Sequence, residues 1–396
     1  MRIAFAMINC NRRDGSARPV NEVAERLARA GHEIHLYART VEDLDLQSIR
    51  WHRVPGPGWP EVADFSTYHA QTNFLLANHR YDIVHSIGCN TSRADVVTIQ
   101  NIQPAKREAS HRFAAGERIS KARRFTRWLY DLRTSAAEHS LYTRKAGSRQ
   151  IMFLPVSKGV ERELRNHYRI GDSLVRIVPN AADTKRFHPL SKNERAEWRV
   201  TAGVRESATL AIFSGGEWAR KGLDLAIRSL AHPDASEITL FVAGDDPGRD
   251  RFRALAREAG VSQRVIFGGF RKDIATAMGA ADLFLFPSHY EAFSLATIEA
   301  AACGLPVLVP RINGAEDFII PGINGEFINH DPAGIAAVLG RLARDPLACE
   351  TMGRANRKIV EETYTWDHVA AETEAAYRAL IDARTVESGN HECCAQ

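Results

Sequence analysis

The chain has 396 residues, of which 44% are hydrophobic and 25% are charged, with a net charge of +4. This composition excludes a mainly disordered chain, and the length predicts two or three domains. The small net charge excludes a nucleic-acid coat protein, so no nucleic-acid partner is expected. The basic excess is local, because the segment from Lys106 to Arg149 carries twelve Lys or Arg against four acids.

The N-terminal apolar run is interrupted by Asn9, Arg12 and Arg13, which makes it too short for a signal-peptide core. No apolar run reaches the length of a bilayer span. The six cysteines form no C-x-x-C pair, which favours free thiols in a reducing compartment. We therefore expect a cytoplasmic protein.

Short apolar segments alternate with helical patterns in the first half of the chain. Residues 2–8 have the pattern of a strand, and residues 20–30 that of an amphipathic helix that ends at Gly31. Further strands are predicted at 33–38, 81–88 and 95–102. This alternation predicts a parallel sheet flanked by helices. A long, basic, helical insert follows.

The same alternation restarts in the second half. Strands are predicted at 209–216, 238–245, 265–270, 282–287 and 306–310, with helices at 223–231, 249–260 and 295–304 between them. The fold class is therefore α/β, with two Rossmann-like domains. We expect a first domain over 1–172 with the basic insert at about 105–149, a second over 173–364, a helix over 365–384 that returns to the first domain, and a disordered tail over 385–396.

The segment EAFSLATIEAAACGLPV (291–307) places two acids eight residues apart. The backbone N–H groups of Phe293, Ser294 and Leu295 open a helix and form an anion site, and Ser294 is the predicted cap. Glu299 interrupts a run that otherwise has a buried pattern, and a buried acid needs a partner or a ligand. The alternative is that Glu291 and Glu299 are ordinary surface acids.

The segment SGGEWARKG (214–222) follows a predicted strand. Gly215 and Gly216 allow a ligand to approach the backbone closely. Arg220 and Lys221 stand at the start of the next helix, where cations oppose the helix dipole. A bound anion explains them better than the alternative, a solvated basic pair.

These two segments, together with VPNAADTKRF and the closing YTWDHVAAETEAAYRAL, resemble the family 4 glycosyltransferases. Those are retaining enzymes with the GT-B fold, in which two Rossmann-like domains face a cleft. The resemblance covers about residues 1–384. Within the family, the Arg-Lys-Gly loop, AGDDPGRDRFRALAREAGV and the basic insert are most similar to the lipopolysaccharide core glucosyltransferase I group.

The resemblance implies a role for each matching residue. Arg220 and Lys221 would bind the donor diphosphate, Glu291 would contact the transferred sugar, and Glu299 would hold the ribose hydroxyls. The other implied donor-site positions are Arg186, Gly215, Gly216, either Phe270 or Arg271 beside the base, and the N–H groups of Phe293, Ser294 and Leu295. Two fixed cations and a helix N-terminus can stabilise the leaving diphosphate, so no metal and no further cofactor are expected.

The first domain matches the family less closely. The glycine-rich loop expected after the first strand is represented only by Gly15 and Ser16. Many members carry a His near the reacting carbon, and His85 is the candidate, although the family's second His falls on Ile87. His85 is therefore either functional or a satisfied histidine at a strand end.

Residues 117–133 mix Arg and Lys with Phe125, Trp128 and other apolar side chains. This pattern suits an anionic membrane surface, an anionic glycolipid acceptor, or a helix with a solvated basic face. The expected function is transfer of a hexosyl unit from a nucleotide sugar, a UDP-sugar, to a lipid-linked or envelope-glycan acceptor such as lipopolysaccharide core, with the enzyme peripheral on the inner face of the membrane. The alternative is a nucleotide-sugar-binding protein or an epimerase-like GT-B enzyme without this transfer.

Overall fold

The structure is a computed structural model. It describes residues 1–11, 15, 17–113, 121–144, 150–205 and 207–393, without the side chains of 110–113, 121 and 386–393. The chain divides into two compact units, one of Met1–Pro179 with Trp366–Gln396 and the other of Asn180–Thr365. The first division therefore falls after residue 179, a few residues beyond the expected 172.

The first unit begins with a succession of strands and helices. The strands are β1 (Arg2–Ala6), β2 (Asn9–Cys10), β3 (Glu33–Ala38), β4 (Thr40–Val41), β5 (Ile49–Arg53), β6 (Ile83–Ile87), β7 (Val96–Ile99) and β8 (Met152–Pro155). The α-helices are α1 (Arg18–Arg29), α2 (Glu61–Ala77), α3 (Gln103–Phe113), α4 (Lys121–Tyr142) and α5 (Lys158–His167).

Six of these strands form a parallel sheet in the order β5-β3-β1-β6-β7-β8. Phe5 in the central β1 is buried and lies between Leu36 of β3 and His85 of β6. Strands β1, β3, β6 and β7 were predicted from the sequence, whereas β5 and β8 were not. Both are edge strands, and β8 ends in Pro155, a residue that sheets tolerate at edges because it has no N–H to donate.

The second unit repeats this architecture. Its strands are β9 (Thr209–Ser214), β10 (Ile238–Ala243), β11 (Val265–Gly269), β12 (Leu283–Leu285), β13 (Val307–Val309) and β14 (Gly325–Phe327). Its α-helices are α6 (Lys192–Thr201), α7 (Leu223–Ser229), α8 (Arg249–Glu258), α9 (Ile274–Ala280), α10 (Leu295–Ala302), α11 (Ala315–Phe318), α12 (Pro332–Ala343) and α13 (Pro346–Thr363).

The second sheet is also parallel, in the order β11-β10-β9-β12-β13-β14. The chain builds outward from β9 to β11 and then returns to place β12 on the other side of β9. Ligands of open parallel sheets bind beyond the carboxyl ends of the strands at such a reversal. A ligand site is therefore expected at the loops after β9 and β12. The prediction of two parallel Rossmann-like sheets is confirmed.

Several helices begin where the sequence supplies a cap. Asp331 and Asp345 each accept a backbone N–H from three residues ahead, and the proline that follows each of them starts α12 and α13. Proline suits this position because its missing N–H has no helical partner there. Ser191 and Glu194 form a capping box at the start of α6.

The last helix, α14 (Trp366–Cys393), belongs to the first unit and packs against α1. Its backbone is helical as far as Cys393, whereas the sequence predicted a disordered tail over 385–396. The segment contains no proline, and each added residue gains one helical hydrogen bond. Within the described residues, no helix combines the length and the apolar character needed to cross a membrane.

Candidate functional site

Glycines end three neighbouring strands of the second sheet. Gly215 follows β9, Gly244 follows β10 and Gly269 ends β11, all with positive φ. The Gly215 N–H donates to the Ala243 carbonyl, and the Gly244 N–H to the Gly269 carbonyl, both at 2.8 Å. A Cβ on Gly244 would lie 2.3 Å from the Gly215 oxygen. Only glycine allows these strand ends to lie so close together.

The loop after β9 is held by Trp218 and Asp246. Trp218 is buried, and its Nε1–H donates to the Gly215 carbonyl at 2.8 Å. Its backbone N–H donates to Asp246 Oδ2 at 2.9 Å, and Gly248 N–H donates to Asp246 Oδ1 at 2.7 Å. Asp246 therefore organises the turn after β10 and fixes one loop to the next.

Lys221 lies against the end of β9. A Cβ on Gly215 would lie 2.2 Å from Lys221 Nζ, so the glycine makes room for the ammonium group. Nζ also lies 5.3 Å from the centroid of the Phe286 ring. Burial lowers the pKa of Lys221, although the Glu291 carboxylate opposes this shift. A partly desolvated cation therefore stands at the point where the strand order reverses.

Arg220 brings the loops after β9 and β12 together. Its Nη1 donates to the Tyr290 carbonyl at 2.5 Å and to Glu291 Oε1 at 3.0 Å. Its Nε and Nη2 donate to Glu217 Oε2 at 3.2 and 2.7 Å. Burial alone would lower the pKa of Arg220, but these two carboxylates raise it above its usual value.

Glu291 is positioned by a second contact. The Ser288 hydroxyl donates to Glu291 Oε1 at 3.1 Å, the oxygen that also accepts from Arg220. The His330 ring contacts the Ser288 carbonyl at 3.1 Å and stacks on His289. The prediction missed Ser288 because a serine before a helix is usually only a turn or cap residue.

The helix after this loop begins as predicted. The Ser294 hydroxyl accepts the Thr297 N–H at 3.2 Å, which confirms Ser294 as the cap of α10. Glu299, inside α10, is buried, and its carboxylate weakly opposes the lowering of the Lys221 pKa that burial causes. The buried Asn180 side chain donates to the Phe293 carbonyl at 3.1 Å. Asn180 belongs to the VPNAADTKRF segment that carried the resemblance, yet it was not singled out.

Three other predicted donor-site residues lie in the second unit without joining this cluster. Arg186 is exposed, and its guanidinium lies 5.2 Å from the centroid of the Phe187 ring. Arg271 donates to both oxygens of Asp273, at 2.7 and 2.5 Å. Phe270 is 70% exposed. Of the two residues predicted to contact the base, Arg271 is thus engaged by Asp273, whereas Phe270 is exposed.

In the first unit, the structure gives no support to a catalytic role for His85. The residue is buried, and its Nδ1 and Nε2 are hydrogen-bonded to the Tyr377 hydroxyl at 2.5 Å and the Thr98 hydroxyl at 2.7 Å. Burial lowers its pKa to about 3. Both nitrogens are used inside the fold, which supports the satisfied histidine. Gly15 is exposed, and Ser16 lies outside the described residues.

The basic insert exposes an apolar stripe on the first half of α4. Phe125, Trp128 and Leu132 are 58%, 56% and 53% exposed, and the two aromatic rings stack at 5.9 Å. Their spacing places them on one face of the helix. Arg123, Arg124 and Arg127 are also exposed there. Residues 117–120 of the predicted patch lie outside the described part of the chain.

Two protein-family models match the chain. The model described as Glycosyltransferase Family 4 matches residues 13–186, and the model described as Glycosyl transferases group 1 matches residues 194–359. The second match contains the Arg220–Glu291 cluster and α10.

Three curated relatives are also glycosyltransferases. Uncharacterized glycosyltransferase MJ1607 of Methanocaldococcus jannaschii is 28% identical over 58% of this chain and 60% of its own length. Lipopolysaccharide glucosyltransferase WaaG of Escherichia coli K12 is 26% identical over 81% of this chain and 83% of its own. D-inositol 3-phosphate glycosyltransferase of Acidothermus cellulolyticus is 30% identical over 57% and 52%. The chain thus spans less than two thirds of the first and third relatives.

Solved structures share the fold over nearly the whole chain. The crystal structure of WaaG has a TM-score of 0.76 at 24% identity and covers 94% of this chain and 98% of its own. Anabaena Alr3699/HepE in complex with UDP and glucose has a TM-score of 0.71 at 18% identity and covers 98% and 100%. Because both units match glycosyltransferase models and share this GT-B fold, the chain belongs to the group 1 and family 4 glycosyltransferases.

Proposed function

We propose that the chain transfers a hexosyl unit from a UDP-sugar to a lipid-linked or envelope-glycan acceptor such as lipopolysaccharide core, with retention of anomeric configuration and without a metal. The observation that carries the proposal is the grouping of Arg220, Lys221 and Glu291 where the second sheet reverses its strand order. The relative named as a lipopolysaccharide glucosyltransferase supports the acceptor class, and the fold neighbour bound to UDP and glucose supports the donor class.

The cluster suits the departure of a nucleoside diphosphate. As the bond between the anomeric carbon and the diphosphate breaks, its electron pair passes to a phosphate oxygen. Lys221 lies in a partly desolvated position, where a fixed cation stabilises such charge more strongly than in water. The opening N–H groups of α10 can donate to a second phosphate oxygen. Glu291, which is already hydrogen-bonded to Arg220 and Ser288, can accept hydroxyls of the sugar.

The donor class is tested by thermal unfolding with UDP-, GDP- and ADP-sugars. A ligand present at 100 times its dissociation constant stabilises the folded state by about 2.7 kcal/mol, so a UDP-sugar should raise the melting temperature most. The absence of a shift with any donor would contradict the proposal.

Two further measurements test the reaction itself. Slow sugar release without acceptor separates a transferase from a nucleotide-sugar-binding protein. NMR of the anomeric proton in the product checks retention.

We further propose that the exposed stripe on α4 holds the enzyme at an anionic membrane on the cytoplasmic side. Apolar and aromatic side chains beside arginines suit the boundary between lipid headgroups and acyl chains. Each arginine near such a surface contributes about 1 kcal/mol of attraction. This use would explain why the local charge excess lies far in the sequence from Arg220 and Lys221.

Replacing both Phe125 and Trp128 with alanine should release the protein from vesicles that contain anionic lipid. Co-sedimentation with vesicles of neutral and of anionic lipid measures this directly. Leu347→Ala is the matched control, because Leu347 is 69% exposed in the other unit. Equal binding of the double variant and the wild type would contradict a membrane role for this stripe and favour a solvated basic face.

A further inference from the structure

Arg220 already has an anion on the side of its guanidinium that suits a phosphate. Glu217 Oε2 accepts from Nε at 3.2 Å and from Nη2 at 2.7 Å. A phosphate or carboxylate engages this same pair of N–H groups in one of the two bidentate geometries that arginine offers, the other being the pair on Nη1 and Nη2. The opposite side of the guanidinium is used by the Tyr290 carbonyl and Glu291. Because Nη1 is already engaged, the bidentate contact that a diphosphate reaches without breaking the link to Glu291 is the one where Glu217 now lies.

Glu217 differs from the other partners of Arg220 in its exposure. Its side chain is 69% exposed, whereas that of Glu291 is 15% exposed. An exposed ion pair contributes little to stability, so its carboxylate can turn into water at small cost. Glu291 is additionally held by Ser288. Of the two acids, Glu217 is the more exposed, and displacing it from Arg220 uncovers less buried charge.

We propose that Glu217 takes the place of a donor phosphate oxygen on Arg220 before the donor binds, and that the diphosphate binds by displacing it. The inference rests on the proposed use of a nucleotide-sugar donor. Its consequence is that Glu217 weakens the affinity for the diphosphate, because the ligand must break an existing ion pair and tolerate a nearby negative charge. Glu217 is thus a residue that sets donor affinity in this chain.

A role of Glu217 in positioning Arg220 predicts the opposite change in donor affinity. If Glu217 served to position Arg220 for the donor, its removal would leave the guanidinium less ordered and weaken binding. The direction of the change in affinity therefore decides between displacement and positioning.

The test is calorimetric titration of the full chain with UDP, for the wild type and for Glu217→Gln and Glu217→Gly. Glutamine keeps the size of the side chain and removes its charge. Glycine removes the side chain and suits the backbone, because Glu217 has φ of 51°. Glu350→Gln is the control, since it removes the same charge from an exposed pair with Arg354 elsewhere in the unit. Both Glu217 variants should bind UDP about three- to tenfold more tightly, and the control should equal the wild type.

Equal or weaker UDP binding by both variants, with wild-type binding intact, would overturn the inference and leave the proposed function standing. A wild type that binds no UDP, GDP or ADP would overturn the proposed function and this inference with it. As a second readout, the donor KM of both variants should fall relative to the wild type, by a factor similar to the fall in the dissociation constant. A purely structural role would leave the donor KM equal to that of the wild type.

Discussion

At the residue scale, the site depends on which side chains are hydrogen-bonded to one another. The resemblance to the glycosyltransferase family implied that Arg220, Lys221 and Glu291 share one site, and the structure brings them together around the end of β9. The sequence could not reveal that Glu217 accepts hydrogen bonds from Arg220, because two residues three apart in a loop meet only if the backbone turns. The same limit applied to His85, whose partners Thr98 and Tyr377 are distant in sequence.

Lys221→Ala should lower the rate of sugar transfer by about 100- to 1,000-fold, the usual effect of removing one fixed group that stabilises developing charge. The melting temperature should stay equal or rise, because a partly desolvated cation is removed. Turnover and thermal unfolding are measured together. Lys358→Ala is the control, since Lys358 is exposed in α13. Wild-type turnover in Lys221→Ala would remove the basis for the assigned site.

At the element scale, helix ends were more predictable than edge strands. Caps such as Ser294 act within one helical turn, so their sequence signal is local. Edge strands β5 and β8 depend on pairing with distant strands, and their own sequences alternate poorly. The start of helix α3 is instead held by a residue that is distant in sequence: the N–H of Gln103 donates to both oxygens of Glu138 in α4 at 3.1 Å.

Glu138 should make stability depend on pH. Burial raises its pKa to about 7, although hydrogen bonds from Tyr168 and Gln103 oppose the shift. Between about pH 4.5 and 7 the folded state then holds a proton that the unfolded state has released, so the free energy of unfolding falls as pH rises. In Glu138→Gln this contribution is absent.

Urea unfolding of both proteins at pH 5, 6, 7 and 8 measures the difference. The wild type should be most favoured relative to Glu138→Gln at pH 5 and progressively less so towards pH 8. A difference that stays constant with pH would mean that Glu138 keeps an ordinary pKa in the fold.

At the scale of the whole molecule, the last helix completes the first unit rather than following the second. Arg26 of α1 bonds Asp367, and Arg176 bonds Glu372. Arg384 donates to Asp95 Oδ1 at 2.8 Å, and the Asp95 side chain is fully buried. The other oxygen, Oδ2, accepts the Val84 N–H. Residues almost three hundred positions apart thus satisfy one buried carboxylate.

Arg384→Ala should lower the free energy of unfolding by about 1–3 kcal/mol, because a buried carboxylate loses a charged partner. Arg378→Ala is the control in the same helix: Arg378 is 68% exposed, so the change should stay within about 0.5 kcal/mol. Denaturant titration of each variant makes the comparison. Equal effects would show that the two pairs contribute alike.

By itself the sequence determined the two parallel sheets, the start of α10 and the residues that stand around the end of β9. The sheets and the start of α10 follow from hydrophobic periodicity and a cap, which act over a few residues, whereas the grouping of the site residues follows from the resemblance to the glycosyltransferase family. Only the tertiary structure decided that His85 is a core residue, that Arg271 is occupied by Asp273 and that Glu217 lies on the phosphate side of Arg220. Burial and hydrogen-bond partners depend on how separated loops and strands come together, and no local pattern records that.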